Sequence, residues 1–285
     1  MGLIADQRAA FHKMLIDADI VTIDDQGIAS IADRSQRTSR IVAGVIAESL
    51  GAQTRPKGAG QRAGSRFEFA VQRFLKDTFP YLGTLRPGAW TIEDVGGSRG
   101  EYHLARYEPY RHLDDLARAV EADPTLRAVL GNSYSISPDV LITRSPESDD
   151  VINRESNLVD PDTARRTIIR NANQPHRIVH AVVSCKLTLR SDRAQNARSE
   201  ALSIIRNRKG RSPHIVVVTA EPSPSRIASL ALGTGDLDMV YHIALPELVE
   251  GVRASGSDEG LSMLESLIDG ERLRDIADLP LDLCI

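Results

Sequence analysis

Three short runs rich in β-branched and other apolar residues dominate the second half of this chain: 178–189 (IVHAVVSCKLTL), 214–219 (HIVVVT) and 239–245 (MVYHIAL). Between the first two lies a stretch, 192–206, whose apolar residues Ala194, Ala197, Ala201, Ile204 and Ile205 recur at helical spacing. Strand, helix and strand at this separation predict a βαβ unit, and with it a mixed or parallel sheet. A further short apolar run, 139–143, follows Ser137-Pro138 and reads as another strand. The expected architecture is α/β, a central mixed β-sheet flanked by helices.

The first half reads as mostly helical. A helix is expected over 5–17, with Phe11, Met14 and Leu15 on one side, and a second ending near Gly51. Residues 51–65 (GAQTRPKGAGQRAGS) have no period and read as a loop. A third helix follows, with Phe67, Val71, Phe74 and Leu75 as its stripe; a Tyr-rich helix is expected near 101–121 and a short one after Asp123-Pro124. Residues 145–175 are polar and read as a mobile insertion. No boundary divides the 285 residues, so one domain is expected: a helical part to residue 130, a sheet core over 131–245 and a helical segment over 246–285.

The formal charge of −4 argues against a uniformly basic nucleic-acid coat, but the charge is uneven. Residues 186–211 carry eight Lys or Arg against two acids, whereas 247–285 carry ten acids against three Arg. This predicts one local anion-binding face. Cys185 and Cys284 offer neither a disulfide framework nor zinc spacing. The start lacks an apolar signal core, and no apolar run approaches the roughly 20 residues that cross a bilayer, so a cytoplasmic protein with no membrane association is expected.

Alternation along 178–189 places His180, Val182, Ser184, Lys186 and Thr188 on one face, and the apolar Val183, Cys185, Leu187 and Leu189 on the other, core-facing side. A lysine in such a strand needs a reason. Glu200 flanks the apolar stripe of the following helix and can face the sheet; Asp139 opens a strand directly after a proline. Two carboxylates are suitable hard-oxygen ligands for Mg2+, and a neighbouring ammonium can stabilise charge on a phosphate under attack. That is phosphodiester-hydrolysing chemistry of the PD-(D/E)xK type, with Ser184 standing where the middle carboxylate is usual. Next to it, Arg190-Ser191-Asp192-Arg193 combines arginines able to grip guanine with an aspartate able to accept from cytosine. Arg206, Arg208, Lys209 and Arg211 are expected to touch phosphates.

The block SCKLTLRSDRAQNARSE, then RNRKGRSPHIVVVTAEPSPSRI and ALGTG, resembles the NgoMIV-type type II restriction endonucleases, the CCGG-cutting branch of the PD-(D/E)xK superfamily. The likeness extends through residues 64–69, 137–139 and 278–282. It implies a restriction-endonuclease-like core with Asp139 and Glu200 as metal ligands, joined by the backbone carbonyl of Cys185. It further implies Lys186 as catalytic lysine, Ser184 in the missing acid's place and Glu68 as an additional active-site glutamate. Arg190, Asp192 and Arg193 would read the central CCGG, Arg226 the outer G·C pair with help from Asp33 and Ser35, and Gln61 the minor groove. The implied target resembles GCCGGC, cut with Mg2+ to leave a four-base 5′ overhang and 5′-phosphate ends. The implied assembly is a homodimer on each palindrome and a homotetramer of two such dimers on double-stranded DNA. Two other readings stay open at this point: a sequence-specific DNA-binding protein without cleavage, and a repair or junction nuclease on the same fold.

Overall fold

A computed structural model describes residues 2–55, 60–94, 103–130, 138–233 and 235–285. Its centre is a six-stranded mixed sheet in the order β1 (Trp90–Asp94), β2 (Val140–Arg144), β3 (Ile178–Lys186), β4 (His214–Thr219), β5 (Met239–His242) and β6 (Leu273–Asp275). β1–β2 and β2–β3 pair antiparallel; β3 to β6 run parallel. Around it lie α1 (Leu3–Asp17), α2 (Arg37–Ser49), α3 (Gly60–Lys76), α4 (His112–Ala122), α5 (Pro124–Leu130) and α6 (Asp149–Ile152). The second half supplies α7 (Ser191–Asn207), α8 (Pro224–Ala231), α9 (Leu245–Ser255), α10 (Asp258–Asp269) and α11 (Leu279–Asp282). The α/β architecture expected from the sequence is the one found.

The parallel strands are joined by helices because a parallel connection has to return along the sheet before the next strand can begin. Thus α7 links β3 to β4, α8 links β4 to β5, and α9 with α10 links β5 to β6. Being central, β3 is buried on both faces: Val182 and Val183 are buried, and so are His180 and Ser184. This corrects the expectation that only the Val183–Cys185 face belongs to the core. His180 is a packing residue. It stacks on Phe79, tilts against Trp90, and its Nε2 lies 2.7 Å from the carbonyl of Leu283.

Other departures have local causes. The expected loop over 51–65 is shorter, because α3 starts at Gly60. Its Phe67–Leu75 stripe packs against α1 and β1, and extending a helix that already exists adds one hydrogen bond per residue fixed. The expected helix over 101–121 is broken by Pro109, whose peptide with Glu108 is cis. There the backbone of Glu108 bridges to Ile178 instead, and the helix proper begins at His112. Strands β1 and β6 were not expected; each is short and lies at a sheet edge.

Residues 145–175 are not a loose insertion. Arg170, only 3% exposed, donates to both carboxylate oxygens of Asp149 at 2.6 Å and to the carbonyls of Asp160 and Thr163. Glu147 and Arg170 also pair through their backbones. A polar segment can fold around one buried guanidinium because five N–H donors satisfy several turns at once. Among the described residues no helix is long and apolar enough to cross a membrane.

Candidate active site

Strand register brings the first group together. β2 and β3 are antiparallel with Val140 opposite Val183, so the residue preceding β2, Asp139, falls beside Ser184. Asp139 lies just outside the strand, where its backbone is released and its side chain can turn toward β3. Oδ2 accepts from the backbone N–H of Cys185 at 2.7 Å and from Lys186 Nζ at 2.8 Å, with Ser184 Oγ at 3.5 Å. Glu200 arrives from α7, three residues past the buried Ala197 and one before the buried Ala201. Its Oε2 lies 3.4 Å from the same Ser184 hydroxyl, so the two acids are within about 7 Å of each other. A single hydroxyl proton can serve only one of them at a time.

The electrostatics follow from this crowding. Burial pushes the Glu200 carboxyl up to about 7, the charge of Asp139 adds to the rise, and Lys186 and the Ser184 hydroxyl oppose it. Burial acts against the charge on Lys186, but Asp139 and Glu200 outweigh it, and its ammonium is held above the ordinary lysine value. Lys186 is therefore a fixed cation between two acids, one of which gains or loses its proton near neutrality.

The donor set suits a hard cation. Among the described residues no group of three or more His, Cys, Asp and Glu side chains converges, so a closed four-ligand zinc site is not formed. Two carboxylates sharing one hydroxyl fit an ion such as Mg2+, which is held by one or two acids and keeps waters or phosphate oxygens for the rest. The Cys185 thiol is buried with the strand, in line with the core position expected for it. Glu68 is half-buried on α3, the helix that packs against β1, β2 and β3.

A second group forms at the same end of the sheet. β3 ends at Lys186, and α7 begins five residues later, leaving Arg190, Asp192 and Arg193 exposed at its N-terminus. Arg193 is steadied by Thr188 Oγ1 at 3.0 Å. An open groove of about 470 Å³ is lined by Asp33, Leu189, Arg190, Ala194, Ser225, Arg226 and Ser229. Arg226, on the first turn of α8, pairs with Asp33 from the loop before α2. Asp33 in turn accepts from the Ser35 hydroxyl at 2.7 Å and the Ser35 N–H at 3.0 Å. With the bonds from Ser35 foremost and Arg226 adding to them, its carboxyl is held down at about 2. Four of the seven residues singled out as base readers thus meet in one region: Arg190, Arg226 and Asp33 line the groove and Ser35 fixes Asp33, while Arg193 follows Arg190 within the first turn of α7. Asp192 is next to them in the chain. The side chain of Gln61 lies outside the described residues.

The basic stretch over 186–211 does not make a single face. α7 is 17 residues long, roughly 25 Å at the helical rise. Arg190 and Arg193 sit at its start, while Arg206, Arg208, Lys209 and Arg211 gather at its far end. There Arg208 caps the Ile205 carbonyl, and Arg211 lines a separate cleft with Arg86 and Arg144.

Glu221 was not singled out from the sequence. It follows β4 and is inaccessible to solvent. Oε2 accepts from Leu189 N at 2.7 Å, Oε1 accepts from Ser223 N at 3.1 Å, and Arg226 approaches Oε1 at 3.8 Å. Its sequence signal was a carboxylate placed directly after an apolar strand, within the block TAEPSPSRI.

Comparison with known proteins agrees over the whole length. The family model described as NgoMIV restriction enzyme matches residues 11–285. The type II restriction enzyme NgoMIV of Neisseria gonorrhoeae is 46% identical over 284 residues, which is 99% of each chain.

Proposed function

Since the chain belongs to the NgoMIV restriction enzyme family and is a site-specific deoxyribonuclease, we propose that it cleaves double-stranded DNA at a CCGG-centred palindrome, GCCGGC. The observation that carries the reading is the convergence of Asp139, Ser184, Lys186 and Glu200 beside a groove lined by Arg190 and Arg226. Chemistry and recognition share one short stretch, residues 184–193, so a duplex seated on the readers has its backbone next to the acids.

Asp139 and Glu200, with the Cys185 carbonyl, would hold Mg2+. The ion supplies Lewis-acid polarisation of the phosphate and a lower pKa for the attacking water. Cys185 N–H and Lys186 fix the Asp139 carboxylate in place. Among the described residues its Oδ1 accepts no hydrogen bond, so that oxygen is available to a ligand. The Lys186 ammonium faces the same spot and stabilises the charge that grows on the phosphate oxygens in the transition state. Ser184, too weak a ligand to replace an acid, lies between the two carboxylates and donates its single hydroxyl proton to one of them at a time. Glu68, on the helix that packs against β2 and β3, is proposed as a further acid of the site, although among the described residues it does not converge with Asp139 and Glu200 into one cluster.

In the major groove Arg190 and Arg193 would take guanine O6 and N7, and Asp192 the cytosine N4 amino group. Arg226, set in place by Asp33 and Ser35, would read the outer G·C pair, and Gln61 would contact the minor groove. A palindrome calls for a two-fold dimer, and a tetramer of two such dimers, each on its own duplex, extends the reading. The one-domain organisation and a cytoplasmic location, where foreign DNA would be met, accompany it. A binding protein without cleavage would have no use for a lysine held charged between two carboxylates.

Plasmid DNA incubated with the protein and Mg2+, followed by sequencing of the ends, tests this. Ends at GCCGGC with four-base 5′ overhangs support it. Random nicking, or intact DNA with every divalent cation tried, would overturn it. Cleavage of plasmids bearing one or two sites, with the mass of the assembly in solution, tests the tetramer.

A further inference from the structure

We propose that Glu221 is a specificity-determining positioning residue, whose buried carboxylate locks the Arg190 and Arg226 readers into one register. The inference rests on the reading of those two arginines as base readers given above.

The two arginines come from separate elements. Arg190 lies in the connection between β3 and α7; Arg226 lies on the first turn of α8, after β4. What joins their supports is one side chain. Glu221 Oε2 holds the N–H of Leu189, the residue immediately before Arg190, while Oε1 holds the N–H of Ser223, which stands at the N-cap of α8. The Leu189 side chain is itself buried, so backbone and side chain together fix the point from which Arg190 departs. The neighbouring contact from Ala220 N to the Leu187 carbonyl, at 3.1 Å, makes the junction two bonds wide.

The chemistry of the group is specific. Two backbone N–H donors arrive on different oxygens, and the Arg226 guanidinium lies between Oε1 of Glu221 and the Asp33 carboxylate. Only a group with two acceptor oxygens and a negative charge meets all three. An amide of the same shape would turn an NH2 donor against one of the N–H groups and would lose the counter-charge. A carboxylate fully removed from water is costly unless it is paired and hydrogen-bonded in this way. Burial pushes the Glu221 carboxyl up from its ordinary range, and the bonds from Leu189 and Ser223 with the charge of Arg226 oppose that rise. A planar guanidinium hydrogen-bonded to Asp33 and drawn from its other side by the Glu221 charge presents its remaining N–H groups in a restricted plane, which bidentate base reading requires.

The test compares kcat/KM of full-length Glu221→Gln, Arg190→Ala and Arg226→Ala on the duplex the wild type cuts best and on duplexes changed at one central or one outer pair. Arg190→Ala is expected to lose discrimination at the centre and Arg226→Ala at the outer pair. Glu221→Gln, though it removes no reader, is expected to lose about fivefold or more at both, since a well-made bidentate contact discriminates by about 1–3 kcal/mol, at least about that factor. A merely structural role would lower thermal stability and leave these ratios alone. Wild-type ratios at both positions in folded Glu221→Gln, alongside losses in the two arginine variants, would overturn the proposal while leaving the readers intact. Unchanged ratios in the arginine variants would overturn the base-reading assignment itself, and this inference with it. Should Glu221→Gln not fold, Glu221→Asp, which keeps the charge but is too short to reach both N–H groups, is read in the same assay with the same two outcomes.

Discussion

Asp33 and Arg226, 193 positions apart in the chain, form an ion pair on the wall of the groove that also holds Arg190. The pair is part-exposed, and Ser35 holds the aspartate from its other side. Its value lies in orientation more than in stability, because ion pairs near the surface contribute little to folding.

Arg226→Ala is therefore expected to leave cleavage chemistry largely intact, at some cost in stability from the counter-charge lost to Glu221, while discrimination at the outer base pair falls by about fivefold or more. Cleavage of duplexes varied at that pair reads the effect. A variant as selective as the wild type would remove Arg226 from the recognition surface.

Lys186→Ala is expected to lower the cleavage rate by at least about 100-fold, the scale seen when one stabiliser of transition-state charge is removed. Specific binding measured in Ca2+ should survive, because the proposed base readers lie beyond the strand end. Loss of that binding would assign Lys186 to the DNA interface.

With Glu200 in its proposed role as a metal ligand, its carboxyl, pushed up to about 7, is expected to make metal binding pH-dependent. Below that value it is mostly neutral, so a bound cation has to displace a proton. The apparent affinity for Mg2+ is expected to rise with pH up to about 7 and then level off, and Glu200→Gln should flatten the rise. The stability of the metal-free protein has the opposite slope. A carboxyl raised from 4.5 in the unfolded chain to about 7 when folded favours the folded state most at low pH, and that contribution is lost as pH climbs through about 7. Denaturant titrations at pH 5 and pH 8 should show a smaller gap in Glu200→Gln than in the wild type; an equal gap would place the titration elsewhere.

Arg170→Ala removes the guanidinium that ties Asp149, Asp160 and Thr163 together. Limited proteolysis should then cut within residues 145–175 while the sheet core stays intact. Resistance equal to the wild type would mean that other contacts hold the segment.

Gly251 marks the close approach of α9 to α2. A Cβ there would lie 3.0 Å from the Val42 carbonyl oxygen and 3.1 Å from its Cα. Because the obstacle is backbone, Gly251→Ala should cost about 1–3 kcal/mol, visible as a lower melting temperature. An unchanged melting temperature would show that the two helices can separate without loss.

The sequence by itself determined the sheet strands that carry the candidate site and the helix between them. Their signals are local: β-branched runs, a 3.6-residue stripe, and the long block over 184–226 that marks the family. It also singled out Asp139, Ser184, Lys186 and Glu200, which the structure brings together, because unusual polar residues on apolar elements stand out. Three things were decided only by tertiary structure. The polar stretch over 145–175 looked loose because composition cannot show that Arg170 will be buried and shared among several turns. The basic run looked like one patch because a count along the chain ignores the length of α7, which carries its two halves to opposite ends. Glu221 looked ordinary because its meaning lies in two N–H groups and a guanidinium that sequence distance keeps apart. Short-range periodicity specifies elements, but pairing across the sheet specifies which side chains meet, and that pairing exists only after the strands have chosen their neighbours.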